Sequence, residues 1–224
     1  MLNTGILEIA QLNNEFYSKN AESFDKSREF YWKGFENSLK YLKSGMQILD
    51  LGCGNARFLK FLSENKISIN YLGVDSNDSF IESNKKKFPN DNFLKVDFIN
   101  TEKVILDHQF DAVVGFGITH HIPSKDFRKI WFRNLGELVS QNGYLILSFW
   151  NFDKSKDDTQ FKTNFYRKEN GDYFLGWKGD YSQHRYCHEY DQEELNEIKK
   201  IYSNFEVIEE FDKEDNKYII FHKK

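Results

Sequence analysis

MQILDLGCGNARFLKFL, residues 46–62, is the stretch on which the fold turns. A short apolar run, Ile48, Leu49 and Leu51, ends in a tight turn, Gly52-Cys53-Gly54. A helical pattern follows at once, with Phe58, Leu59, Phe61 and Leu62 on one side. Strand, glycine turn and helix in that order open a doubly wound α/β sheet. Glycine lets the chain turn sharply and leaves no Cβ between backbone and ligand. The helix N-terminus then directs N–H groups into the same space. A cofactor is expected there. The dinucleotide fingerprint needs a third glycine where this chain has Arg57, a long cation at a place of close helix–strand packing. A phosphate loop needs Gly-Lys-Ser/Thr after four intervening residues, which this stretch lacks.

Downstream, strands and helices alternate. A second strand is expected over 69–74, followed by Asp75 and a helix over 78–88. An acidic residue about twenty positions past a glycine turn is where a ribose diol finds its acceptor. Asp75, Ser76 and Asp78 are also candidate helix caps. A third strand over 92–96 ends in Asp97-Phe98, and a fourth spans 110–115. The loop after the fourth strand, Gly117 to Pro123, holds Gly117 and the adjacent pair His120-His121. In an open α/β sheet the ligand lies beyond the carboxyl ends of the strands, so this loop faces both the cofactor and whatever it acts on. Two adjacent histidines cannot both point the same way. Ser124 is the expected cap of a helix to about Val139, with Phe127, Ile130, Trp131, Leu135 and Leu138 toward the sheet and Lys125, Arg128, Lys129 and Arg133 on the polar face. A fifth strand, 144–150, precedes a long polar and aromatic insertion, about 151–190. Asp191 then caps a helix with Glu194 as capping-box partner, and 205–211 with 218–222 read as a closing antiparallel hairpin.

Residues 1–45 precede the first strand. Ile6, Leu7, Ile9, Ala10 and Leu12 predict an amphipathic helix, and a second is expected from about Phe30 to Leu42. The segment between them is too apolar for a disordered tail. The expected organisation is an N-terminal helical cap, 1–45, over a catalytic domain, 46–224. The formal net charge of −4 gives no global basic field of the kind simple nucleic-acid binders show, while a local patch stays open. Cys53 and Cys187 lie far apart, with Cys53 inside the glycine turn, which predicts reduced thiols and a cytoplasmic setting. No signal peptide, membrane span or DNA partner is expected, and no CxxC or HxxxH pair implies a metal.

The run Asp-Leu-Gly-Cys-Gly-Asn, residues 50–55, resembles motif I of class I S-adenosylmethionine (SAM) methyltransferases, with Ala56 at the usual third glycine. The resemblance implies their α/β, Rossmann-like seven-stranded sheet with helices on both faces. It implies SAM as cofactor, held by Asp50, Gly52, Gly54, Asp75 and Gly117. It also implies that Asp97 accepts from the adenine amino group, with Phe98 packed on the ring. Outside the SAM half, the chain resembles the branch that esterifies 5-carboxymethyluridine at the tRNA wobble position. FYSKNAESFDKSREFYW (16–32), FDAVVGFGITHHI (110–122), DYFLGWK (172–178) and HRYCHEYDQEEL (184–195) carry that likeness. It implies a tRNA substrate and a small zinc-binding activator protein as partner.

A carboxylate acceptor is ionised at neutral pH and needs no strong base. It needs a holder, and arginine offers a planar bidentate fork. Arg28, His120 and Arg185, from the cap, the fourth-strand loop and the insertion, are the candidate catalytic residues. An alcohol or amine acceptor would instead need a base, which His120 or His121 supplies. Two alternatives stay open: a methyltransferase for a small acid or alcohol, and a non-catalytic SAM-binding subunit of a complex.

Overall fold

The computed structural model describes residues 4–27, 30–97, 99, 108–151, 165–167, 171–177 and 180–224. Helix α1 (Thr4–Lys26) and the short α2 (Phe35–Ser38) lead into β1 (Gln47–Leu51). Then come α3 (Arg57–Glu64), β2 (Asn70–Asp75), α4 (Asp78–Lys87), β3 (Asn92–Lys95), β4 (Phe110–Gly115), α5 (Lys125–Leu138) and β5 (Val139–Trp150). The insertion contributes β6 (Phe165–Arg167), β7 (Asp172–Trp177) and β8 (Asp180–His188). The chain ends in α6 (Gln192–Ile201), β9 (Phe205–Lys213) and β10 (Asn216–Lys223).

The main sheet has seven strands in the order β3-β2-β1-β4-β5-β10-β9. All neighbours are parallel except β10, which runs antiparallel to both β5 and β9. This is the seven-stranded sheet expected above. Its central strands read as continuous apolar runs because helices cover both faces. Ile48 and Val114 face one side, with Phe35, Phe58 and Phe61. Leu49, Leu51 and Val113 face the other, with Phe127, Trp131 and Leu135. The order of the strands reverses between β1 and β4, so the carboxyl ends of β1, β2 and β4 frame the crevice where such sheets bind ligands. A second, antiparallel sheet, β6-β7-β8, is the ordered form of the described part of the insertion.

Several local expectations fail for identifiable reasons. Helix α1 runs unbroken through residues 13–26, so one helix replaces an expected helix and linker. The helix expected over 30–42 shrinks to four residues, because the chain turns at Gly34, whose backbone is pressed against the Tyr218 ring. Asn77, not a neighbouring acid, caps α4, accepting from the N–H groups of Ser79 and Phe80. Ser124 stands at φ 63° and its hydroxyl makes no capping bond. Ile130 is exposed, whereas Arg128 is buried. The Arg128 charge is met by Glu194 of α6, whose carboxylate oxygen accepts from Nη2 at 3.0 Å. Asp191 does cap α6 through the Glu194 N–H, but the Glu194 side chain turns to Arg128 and His188 instead of closing the box.

Candidate active site

The glycine turn is held open by backbone conformation. Gly52 and Gly54 sit at φ 66° and 50°, in the left-handed region that favours glycine. Ala56 shares that region at φ 56°, fully buried, which is a strained setting for a residue with a Cβ. The Gly52 and Cys53 N–H groups donate to the Val74 carbonyl at 2.8 and 3.1 Å, tying the turn to the end of β2. Asp75 then accepts from Gly54 N–H through Oδ2 and from Asn77 N–H through Oδ1, each at 2.9 Å. Burial raises the Asp75 carboxyl, and backbone N–H groups of Asn77, Gly54 and Ser76 oppose the rise. Asp50 is more deeply placed. Burial pushes it up to about 7, although the Tyr71 hydroxyl donates to its Oδ2 at 2.6 Å.

These groups line a cleft of about 1020 Å³, open solvent included. Helix α1 crosses it. Asn14 Nδ2 donates to Asp97 Oδ2 at 3.1 Å, and Asn14 Oδ1 accepts from the Ser76 hydroxyl at 2.6 Å. Asp97 Oδ1 accepts from the Ile99 N–H at 3.0 Å. Farther along α1, Asp25 accepts from Asn55 of the glycine turn at 2.8 Å.

At the end of β4, Gly117 stands at φ 74°, and a Cβ there would lie 2.8 Å from the Trp32 ring. Its N–H donates to the Ser148 hydroxyl. A single 3-10 turn, Thr119–His121, holds the two histidines with ring centroids 4.1 Å apart but in different surroundings. His121 faces the cleft beside Tyr17. Its Nε2 lies 2.8 Å from Tyr17 Oη and its Nδ1 2.8 Å from the Tyr186 carbonyl. His120 does not line the cleft; it packs edge-on against Trp150.

Arg185 is buried behind this wall, its guanidinium over the rings of Phe16 (5.2 Å) and Trp150 (5.7 Å). The Tyr17 hydroxyl and the Cys187 thiol lie beside it. Arg185 does not line the cleft, whereas Tyr17 does. His120, His121 and Cys187 bring ligand-type atoms within 4.8 Å of one another. The geometry disfavours a cation there, since both His121 nitrogens are engaged and Arg185 is adjacent. Burial also pushes the Cys187 thiol up to about 11. Tyr186 and His188 point the other way. Asp172 accepts from the Tyr186 hydroxyl at 2.6 Å and pairs with His188 Nδ1 at 2.7 Å, while His188 Nε2 meets Glu194 at 3.0 Å. That network fastens the second sheet to α5 and α6. Arg28 and Phe98 lie outside the described residues. Sequence reasoning gave no role to Asn14, Tyr17 or Trp32; Asn14 and Tyr17 share i, i+3 spacing on α1, and Tyr17 and Trp32 lie in the segment 16–32 that carries the family likeness.

A family model described as a methyltransferase domain matches residues 49–145, from β1 into β5. The cradle fits the cofactor of that chemistry: a Cβ added at Gly54 would meet nothing within 4 Å, and acidic side chains stand at the carboxyl ends of β1 and β2 and just past β3. Residues 49–145 form a SAM-dependent methyltransferase domain. A solved Burkholderia thailandensis 1,6-didemethyltoxoflavin-N1-methyltransferase, bound to its substrate and S-adenosylhomocysteine, shares the methyltransferase fold at TM-score 0.68 and 15% identity, over 100% of this chain and 92% of that one. A putative methyltransferase solved in complex with the Haloferax volcanii Trm112 methyltransferase activator gives TM-score 0.69 at 11% identity, over 94% and 97%. Among curated relatives, the Saccharomyces cerevisiae tRNA (carboxymethyluridine(34)-5-O)-methyltransferase is 23% identical over 73% of this chain and 55% of its own length. Others carry only the name putative methyltransferase. The chain spans from 22% to 94% of the length of the curated relatives it matches. Among the described residues no helix is long and apolar enough to cross a membrane.

Proposed function

We propose that this chain methylates a carboxylate, that of 5-carboxymethyluridine at the wobble position of tRNA. The observation that carries the reading is the cluster at the end of β4, where Tyr17 and His121 line the cleft beside Gly117 with the Arg185 cation directly behind. A cationic wall next to a methyl-donor cradle suits an anionic acceptor. The likeness to the yeast tRNA enzyme supports the same acceptor.

When bound, SAM supplies an electrophilic methyl group on a sulfonium. Gly52 and Gly54 give it space, Asp75 takes the ribose diol, Asp97 takes the adenine amino group, and Asp50 sits beneath the turn. Phe98 is proposed against the adenine ring and Arg28 as a further carboxylate holder. Residues 1–45 act as a cap over residues 46–224. Because the acceptor is already ionised, the site's work is to orient it, exclude water and hold its charge. An activator protein is proposed as partner, supported by the neighbour solved with one. Two cysteines outside any disulfide suit a cytoplasmic setting.

The test is transfer of labelled methyl from SAM to bulk tRNA against a metabolite extract, with and without the activator. The product should be a base-labile ester on tRNA. Label confined to small acids would overturn the tRNA assignment. A second reading, an alcohol or amine acceptor, is favoured by one observation: neutral His121 is placed to take a proton through Tyr17. A base-stable product would support it.

A further inference from the structure

The hydroxyl of Tyr17 is the one cleft group tied to both an obligate cation and a titratable ring. The His121 Nδ1 lies 2.8 Å from the Tyr186 carbonyl, which can only accept, so Nδ1 carries a proton in either charge state. Whatever changes at His121 therefore changes at Nε2, 2.8 Å from Tyr17 Oη. Arg185 has donors only, so where it meets Oη the phenolic oxygen is the acceptor. With His121 neutral, the Tyr17 O–H points to Nε2 and the cleft is offered a lone pair. With His121 protonated, Nε2–H donates to Oη and the phenolic O–H turns into the cleft. Oη then accepts twice and donates once, its full capacity.

The groups facing His121 decide when each state holds. Tyr17 faces it from α1, His120 from its own turn, and Arg185 and Cys187 from β8. The Cys187 thiol is neutral there. The one fixed charge is positive, so a second positive charge on His121 is disfavoured until an anion enters the cleft. We infer that Tyr17 is the residue that contacts the acceptor, presenting its O–H to a carboxylate, and that His121 takes up one solvent proton as the carboxylate binds. Arg185 and His121 are positioning residues that act through Tyr17. An ester carries no charge, so the proton returns to solvent once the acceptor is methylated, and the hold on product weakens. The inference rests on the carboxylate reading above.

Nitrogen NMR of histidine in the S-adenosylhomocysteine-loaded protein tests it, with the nucleoside 5-carboxymethyluridine as probe and uridine as control. The expected result is that the carboxymethyl nucleoside converts His121 to a doubly protonated ring and uridine does not. Tyr17→Phe should abolish the conversion with S-adenosylhomocysteine affinity unchanged, which also reports an intact fold. If His121 stays singly protonated in the wild-type protein, through lack of binding or lack of uptake, the inference is overturned. It is equally overturned if Tyr17→Phe behaves as wild type. Proton uptake without methyl transfer to tRNA would sink the tRNA substrate and leave the carboxylate site standing.

Discussion

Tyr71 donates its hydroxyl to Asp50 Oδ2 at 2.6 Å, beneath the glycine turn and out of reach of bulk water. The hydrogen bond favours the ionised carboxylate, yet burial outweighs it and Asp50 is pushed up to about 7. A carboxyl whose folded pKa lies above its unfolded value stabilises the protein while protonated. That contribution is complete below about pH 4 and is lost as pH rises toward 7. Asp50→Asn keeps the acceptor for Tyr71 and removes the titration. In calorimetric scans without cofactor, the variant should melt with wild type near pH 4 and above it at pH 8. Parallel pH curves for the two proteins would refute the assignment.

Arg128 and Glu194 form a largely buried pair, with Asp172 and His188 attached. Arg128→Ala leaves two carboxylates facing one imidazole and should cost about 3–5 kcal/mol in urea unfolding. Arg128→Met with Glu194→Gln removes both charges and should recover most of that loss. The pair partly neutralises its own field, so Asp172 and Glu194 are both held below the usual carboxylate range, with hydrogen bonds from His188 overcoming burial. Their contribution is present at neutral pH and is lost as pH falls through those lowered values.

The glycine turn, the strand–helix alternation that opens the domain and the positions of Asp50, Asp75 and Asp97 at the strand ends were legible because each depends on local pattern. A strand, a turn and a helix are written within a dozen residues. Asn14 and Tyr17 were not legible, since their meaning comes from α1 lying across loops more than sixty residues away. Arg128 was misread for a related reason. Helical periodicity assigns a face, but only the position of α6 converts a polar face into a buried ion pair. The histidine pair shows the same limit: a 3-10 turn sends His121 to the cleft and His120 to Trp150, and nothing in the dipeptide states that choice.

Asp75 accepts from the glycine turn through Oδ2, at Gly54 N–H, and from its own loop through Oδ1, at Asn77 N–H. The ribose role proposed for Asp75 gives it two duties, to bind cofactor and to fix the loop that receives it. Asp75→Ala should weaken SAM binding by about 1.5–3 kcal/mol, the worth of a charge-assisted hydrogen bond. It should also lower the melting temperature of the cofactor-free protein. Calorimetric titration and melting separate the two, and a binding loss with no stability loss would mean that the turn holds without Asp75.

Gly52 and Gly54 share a backbone region but not surroundings, which separates folding from binding. A Cβ at Gly52 would lie 2.9 Å from Ile118 Cδ1, inside the packed wall of the cleft. A Cβ at Gly54 would enter open space. Both substitutions carry the left-handed strain of about 1–2 kcal/mol. Gly52→Ala adds a steric conflict and should be the less stable of the two by thermal melting. Gly54→Ala should lose no more stability than that strain costs and should weaken SAM binding by more than tenfold in titration calorimetry, because its methyl group enters the volume proposed for the cofactor. Wild-type affinity in Gly54→Ala would place the cofactor elsewhere in the cleft.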